Sequence, residues 1–293
     1  MHKKTQSTYS MPPQKRKNSP AGFLVFALVV LAVIAFAVNA LTKENNVFEP
    51  EPLPYPAENF MWDSNNRPTY YEEGAYTSEL GVDVSEHNGE FDWHAAANDG
   101  MSFAFIRLGW RGYSEGILHV DEYFTRNYLG ARSEGFDVGV YFFSSAINEA
   151  EAVEEAEFVL AQLSDIGAQL ELPIVFDHER VSASNGRANN LSNAQASAIA
   201  NAFCARIEAA GYQTMIYGNL RDLGRYNEDV TATREVWLAE YETHVPAARF
   251  PFSFWQYTDN GHINGINRNV DISIRFVPVE QNTTGQQNTT GQQ

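Results

Sequence analysis

Short apolar runs alternate with longer amphipathic stretches between residues 79 and 278. Runs of this length, bounded by polar residues, are typical of buried strands. The pattern predicts eight strands, at 80–84, 103–108, 138–143, 172–176, 214–217, 236–239, 254–256 and 270–274.

Two amphipathic stretches, 149–163 and 192–210, predict helices between these strands. The second begins at Ser192, a good N-cap, and stops at Gly211. Eight strands with helical crossovers predict an α/β fold, a small and irregular (β/α) barrel at 79–278. The later connections are too short for full helices, so we expect an incomplete helical ring.

An uncharged apolar run at 21–41 precedes this region and could cross about 30 Å of hydrocarbon as one transmembrane helix. The basic residues 15–17 lie upstream and acids follow downstream, which predicts a cytoplasmic N-terminus at 1–20. The alternative is a signal peptide cleaved after Ala40. Either interpretation predicts an exported protein, held at the cytoplasmic membrane by a single pass or secreted.

Low-complexity segments flank the predicted barrel. Residues 42–78 are rich in Pro, Glu, Asn and Tyr without periodicity, which predicts an extended linker. Residues 279–293 contain a short polar tandem repeat, which predicts a disordered tail.

The charge of the chain is divided unevenly. All five lysines and Arg16 precede the first acid, Glu44, so the remainder carries 14 Arg against 37 Asp and Glu. Because nucleic-acid binding depends on neutralising phosphates, this acidic surface disfavours a nucleic-acid partner. Cys204 is the only cysteine, which excludes an intramolecular disulfide and a Cys-based zinc site. The histidines show no HExxH spacing, so we predict neither metal nor cofactor.

Three predicted strands carry acids. Strand 172–176 runs into Asp177 and Glu179, while Asp83 and Asp271 lie inside apolar strands. Functional residues of such barrels lie where strands end at the C-terminal face. Because strand side chains alternate, Asp177 and Glu179 should point the same way, about 6 to 7 Å apart along the backbone, and His178 the opposite way.

Two carboxylates this close repel each other, which raises one pKa and keeps a proton near neutral pH. Cleavage of a glycosidic bond needs such a pair, because one group protonates the leaving oxygen while a second negative charge stabilises the developing positive centre. The alternative is that the pair binds Arg107 or Arg111. Asp83 and Asp271 favour catalysis, since isolated buried charges are costly.

Aromatic residues collect at or just past the predicted strand ends, where flat rings can stack on sugar faces. Each could instead belong to the core, but six at one end of a barrel favour a binding role. They are Tyr141, Tyr217, Trp237, Tyr241, Trp255 and Tyr257.

Seven blocks, in order, resemble the signature of the glycoside hydrolase family 25 lysozymes. They are GVDVSEHNGEFDW from residue 81, FAFIR from 103, GVYFF from 139, PIVFDHE from 173, WLAEY from 237, WQY from 255 and VD from 270. This resemblance covers about residues 80–277 and implies hydrolysis of the β-1,4 bond between N-acetylmuramic acid and N-acetylglucosamine in peptidoglycan glycan strands.

By position, the resemblance implies that Glu179 is the general acid. Asp177 would orient a reacting N-acetyl group, as expected if the substrate's own acetamide is the nucleophile. Asp83 and Asp271 would line the same cleft. The residues expected to shape the sugar subsites are Tyr141, Trp237, Tyr241 and Trp255, to which we add Tyr217.

Three alternatives stay open at this point. Water could displace the leaving group directly. The substrate could be another N-acetylhexosamine polymer such as chitin. The chain could also be a module that binds glycan without hydrolysing it. The sequence signature of such a module would be the loss of Asp177 or Glu179, and both are present.

Overall fold

The computed structural model describes residues 51–279. The predicted segments 1–20 and 21–41, the first part of the predicted linker and residues 280–293 lie outside these residues. No helix between residues 51 and 279 combines the length and the apolar character needed to cross a bilayer.

The strands are, in chain order, β1 Phe60–Trp62, β2 Pro68–Tyr70, β3 Tyr76–Val84, β4 Met101–Arg111, β5 Leu118–Val120, β6 Asp137–Phe143, β7 Ile174–Asp177, β8 Thr214–Asn219, β9 Glu235–Ala239, β10 Phe254–Gly261 and β11 Val270–Pro278. The α-helices are α1 Trp93–Asn98, α2 Phe124–Ser133, α3 Glu149–Asp165, α4 Asn193–Glu208, α5 Leu220–Leu223 and α6 Glu228–Thr231.

Eight strands close into a barrel in the order β3, β4, β6, β7, β8, β9, β10 and β11, with β11 returning to β3. Each predicted strand corresponds to one of them, so the predicted α/β barrel is confirmed. The barrel is irregular because β11 runs antiparallel to both of its neighbours, whereas the other neighbouring pairs are parallel. The start of β11 therefore lies at the same end as the C-termini of the parallel strands.

Both predicted helices are present, and local capping explains their first residues. The Asn148 side chain accepts a hydrogen bond from the Glu151 amide at the start of α3. Ser192 and Gln195 form a reciprocal capping box at the start of α4. Between residues 240 and 269 no helix follows β9 or β10, so the helical ring is incomplete, as predicted.

Large rings fill the barrel interior. Phe105 stacks on Trp237 with 4.5 Å between ring centroids, and Phe254 packs edge-on against Phe105. Gly81 leaves the space that the ring of Phe103 occupies, because a Cβ atom there would collide with it. The interior is thus a packed core.

The predicted linker was wrong from residue 52 onwards. Tyr55 is buried, stacks on Phe276 at 3.6 Å between centroids and donates a hydrogen bond of 2.6 Å to the Phe252 carbonyl. Phe60 packs edge-on against Trp255, and β1 pairs with β2. This segment covers the outer face of β10 and β11, where the ring lacks helices. Its contacts are made by aromatic residues at irregular spacing between prolines, so periodicity did not reveal them.

Replacing Tyr55 should show that this covering segment stabilises the barrel. We expect Tyr55→Ala to lower the free energy of unfolding by about 3–5 kcal/mol, because it removes a buried ring. Tyr71→Ala is the matched control, since Tyr71 is 57% exposed. Chemical denaturation of the full chain measures both, and equal stabilities would show that residues 52–78 are not part of the fold.

Candidate active site

Four carboxyl groups meet at the C-terminal end of the barrel. Asp83 lies near the end of β3, Asp177 ends β7, Glu179 follows two residues later, and Asp271 is the second residue of β11. They line one cleft of about 260 Å³. The reversed direction of β11 brings Asp271 to this end and pairs it directly with Asp83 in the sheet.

Asp177 and Glu179 face the cleft together, as strand alternation predicts. His178 points the other way, where it is buried, stacks on Phe176 and lies 3.2 Å from the Ala146 carbonyl through Nε2. Burial lowers the pKa of His178 to about 4, so this side chain is neutral at pH 7. It therefore adds no positive charge behind the pair.

The environment of the two acids raises the pKa of both carboxyl groups. Burial, and then the charge of Glu179, raise the pKa of Asp177 well above its usual range. Burial, and then the Asp222 carboxylate, raise the pKa of Glu179. The two carboxyl groups lie within hydrogen-bonding reach of each other. Because ionising both would place two buried negative charges side by side, the pair favours the state in which one of the two carboxyl groups is protonated.

The two arginines considered as partners of this pair bind elsewhere. Arg107 Nε lies 2.7 Å from Asp121, and a second guanidinium nitrogen lies 3.2 Å from Glu86. Arg111 Nε lies 2.7 Å from Glu155. The ion-pair interpretation of the two acids is therefore wrong, although Arg107 does reach the cleft wall.

Asp83 and Asp271 form a second acidic pair. Burial, and then the charge of Asp271, raise the pKa of Asp83. Burial, and then the carboxylate of Asp259, raise the pKa of Asp271 to about 6. Both shifts oppose the simultaneous ionisation of Asp83 and Asp271.

Gln256 links this second pair to the aromatic wall and was missed by the sequence analysis. Its Nε2 donates to Asp83 at 2.8 Å, while its Oε1 accepts from the hydroxyls of Tyr217 at 2.7 Å and Tyr241 at 2.6 Å. A glutamine between two aromatic residues gives no chemical signal. Its inward direction could have been found from alternation with Phe254, which fills the barrel interior.

Asp222 and Arg225 were also missed. Arg225 is buried, donates to the His178 carbonyl and lies 3.4 Å from Asp222. These residues support the backbone between the two acids from α5 and the turn after it. Nothing in their local sequence indicates that they approach residues more than 40 positions earlier.

The predicted aromatic residues divide by strand face. Tyr141, Tyr217, Trp237 and Tyr241 line the cleft, and Trp237 Nε1 donates to Ser273 at 3.0 Å. Trp255 does not line it, and that prediction was wrong. Because Phe254 and Gln256 face inward, Trp255 faces outward, where it is fully buried and donates to the Glu240 carbonyl at 2.8 Å.

Within the described range, no group of three or more His, Cys, Asp and Glu side chains is arranged to hold a metal ion. The absence of a metal stays a prediction.

The sequence model of glycosyl hydrolases family 25 matches residues 82–266, more than half of the chain. The chain belongs to this family. Among its relatives, Lysozyme M1 from Streptomyces globisporus is 29% identical over 201 residues, which are 65% of this chain and 65% of that protein. The chain thus spans just under two thirds of that relative.

Solved structures of similar fold include the bacterial lysozyme from Streptomyces coelicolor, with a TM-score of 0.55 and 26% identity over 67% of this chain and 90% of that one. The modular autolysin LytC from Streptococcus pneumoniae, in complex with synthetic peptidoglycan ligand, has a TM-score of 0.62 and 23% identity. That match covers 74% of this chain and 50% of LytC, and it shows the fold alone.

Asp271 gives this family 25 domain a pH-dependent stability. Its pKa rises from 3.8 to about 6 on folding, so its ionisation opposes folding above pH 3.8, and the cost is complete above pH 6. We expect Asp271→Asn to raise the free energy of unfolding at pH 8 by on the order of 1–3 kcal/mol and to change it little near pH 3.5. Chemical denaturation at both pH values measures the difference.

Glu122→Gln, at an exposed position, is the control for this experiment. If Asp271→Asn changed stability equally at both pH values, the carboxyl group would not be desolvated as described.

Proposed function

We propose that this chain is a peptidoglycan muramidase that hydrolyses the β-1,4 bond between N-acetylmuramic acid and N-acetylglucosamine. The observation that carries the proposal is the Asp177–Glu179 pair, two neighbouring carboxyl groups that line an open cleft and form no ion pair with an arginine among the described residues. Two relatives named as lysozymes and one structure holding a peptidoglycan ligand support the choice of substrate.

Glu179 is the group that we assign as proton donor. It is only partly buried, whereas Asp177 is 5% exposed, so Glu179 is the acid that a glycosidic oxygen can reach. Burial and the Asp222 carboxylate raise the pKa of Glu179, against the opposing effects of the Asp177 hydrogen bond and the Arg225 charge, and this net shift favours the protonated acid before the reaction. Donation to the leaving oxygen then leaves a carboxylate that can activate water in the second step.

Asp177 is the residue that we assign to orienting the reacting acetamide group of the substrate. Carboxyl groups within hydrogen-bonding reach are closer than the roughly 6.5–9.5 Å that an inverting pair needs to hold a water between them. Asp177 lines the cleft beside Glu179, and its carboxylate is the group that we expect to accept the acetamide N–H. That contact would orient the acetamide oxygen for attack on the anomeric carbon and stabilise the charge that develops.

The remaining cleft residues serve binding in this proposal. Tyr141, Trp237 and Tyr241 supply ring surfaces, while Asp83 and Asp271 accept hydrogen bonds from sugar hydroxyls. The Gln256 amide holds the Tyr217 and Tyr241 hydroxyls in fixed positions, which lowers the entropy lost on binding.

The apolar run at 21–41 supports a further part of the proposal, that the enzyme works outside the cytoplasmic membrane. Anchored there, it would act on wall close to the membrane, since tethering raises the local substrate concentration. Cleavage after Ala40 would release it instead.

Replacing the proton donor tests the proposed reaction. We expect Glu179→Gln to lower the release of reducing ends from purified peptidoglycan by about 10²–10⁴-fold, because the amide cannot donate the proton. Glu228→Gln, an exposed acid on α6, is the control and should leave the rate unchanged.

Mass spectrometry of the products identifies the bond that is cut. Fragments ending in reducing N-acetylmuramic acid are expected from wild type, and proton NMR of the first-formed product should show a retained anomeric configuration. Unchanged activity of Glu179→Gln, equal activity on chitin, or binding without products would each contradict the proposal, and an inverted product would contradict the role of the acetamide.

A further inference from the structure

The peptide group that joins His178 to Glu179 lies just beyond the end of β7, outside the hydrogen-bonded ladder of the sheet. Its carbonyl oxygen, on His178, accepts a hydrogen bond from the guanidinium of Arg225. The preceding carbonyl, on Asp177, accepts one of 2.7 Å from the Ser144 amide. The backbone that directs the Glu179 side chain is therefore held in part by Arg225, which lies 47 positions after His178 in the chain.

Arg225 is itself held by residues at the end of the neighbouring strand. Its Nε lies 3.4 Å from the Asp222 carboxylate, and the two side chains are only 3% and 6% exposed. Asn219, the last residue of β8, donates to the Asp222 carboxylate at 2.8 Å and accepts from the Asp222 amide at 3.0 Å. Asn219, Asp222 and Arg225 thus connect β8 to the backbone that carries Glu179.

This buried ion pair lies outside the cleft. Neither Asp222 nor Arg225 lines it, so neither contacts a sugar bound there. A buried ion pair contributes little net stability, because the desolvation of both charges offsets their attraction. Its position behind Glu179 has a second consequence, since it places two opposite charges near that carboxyl group.

The two charges act on Glu179 in opposite directions. Burial raises the pKa of Glu179 most, the Asp222 carboxylate raises it further, and the Arg225 guanidinium lowers it. Without Asp222, the lowering effect of Arg225 would no longer be offset by its own partner. The other titratable groups that act on Glu179, or on which it acts, are the carboxyl groups of Asp83, Asp177 and Asp271 and the hydroxyls of Tyr217 and Tyr241.

We propose that Asp222 and Arg225 are positioning residues of the hydrolysis: Arg225 fixes the backbone of the proton donor, and Asp222 holds Arg225 and offsets its charge. The inference rests on the proposed function, because it requires that Glu179 delivers the proton. Both residues act through Glu179 and contact no substrate. Their replacement therefore changes kcat and its dependence on pH and leaves KM nearly unchanged.

Asp222→Asn in the full chain tests the charge, since it keeps the shape of the side chain and removes its negative charge. Protonated Glu179 is the active form, so the rate falls as the pH rises through its pKa. We expect the alkaline limb of the kcat/KM profile on soluble peptidoglycan strands to move to lower pH by about 0.5–1 unit, because the pKa of Glu179 falls. Glu208→Gln is the matched control, because Glu208 pairs with Arg234 at the opposite end of the barrel, beside the start of β9.

The double variant Asp222→Asn/Arg225→Met tests the position of the proton donor. It removes both charges together, which avoids leaving one buried charge unpaired. We expect kcat to fall by about 10–100-fold with KM nearly unchanged, because the backbone before Glu179 loses a hydrogen bond that fixes it. The alkaline limb should lie closer to that of wild type than in Asp222→Asn, since the opposing charges are lost together. Thermal unfolding of each variant shows whether it is folded, and if the double variant is not, the profile of Asp222→Asn decides alone.

An Asp222→Asn profile that coincides with that of wild type would overturn the inference, and so would a folded double variant with the kcat of wild type. An equal shift in Glu208→Gln would also overturn it, because the effect would then follow from lost stability. These results are distinguishable from failure of the proposed function, since full activity of Glu179→Gln would contradict the proton donor itself.

Discussion

Desolvation of carboxyl groups at one end of the barrel is the constraint on which the rest of this site depends. A barrel of this size packs its interior with rings, so acids placed at the strand ends have apolar residues below and only a narrow cleft above. Removing a carboxylate from water favours its protonated form. Asp177 and Glu179 then gain a shared proton, and Asp83 and Asp271 share the same environment.

The incomplete helical ring leaves part of the outer face of the barrel sheet without a covering helix. Without helices after β9 and β10, the outer faces of Trp255, Phe276 and their neighbours would be exposed to water. Residues 52–78 cover them with an aromatic cluster led by Tyr55. The stability of the barrel thus depends on a piece of chain that precedes the family 25 match.

Much of the barrel could be predicted from sequence, because its eight strands are short apolar runs and its two longest helices begin at clear caps. The directions of the Asp177, His178 and Glu179 side chains could also be predicted, because successive side chains of a strand point to opposite faces. The direction of β11 could not be predicted, because the apolar pattern of a strand does not indicate whether it runs parallel or antiparallel to its neighbours. Trp255 was placed on the wrong face, since a position near a strand end does not decide its face. Gln256, Asp222 and Arg225 were missed because their partners are distant in sequence.

The shared proton is the central claim, and a titration of side-chain carboxyl groups by NMR tests it most directly. With ¹³C-labelled Asp and Glu in the full chain, the account predicts that one carboxyl of the Asp177–Glu179 pair stays protonated at pH 7. In Glu179→Gln the titration midpoint of Asp177 should fall, because the neighbouring negative charge is gone. If both carboxyl groups in wild type were fully ionised by about pH 5, the account would be contradicted.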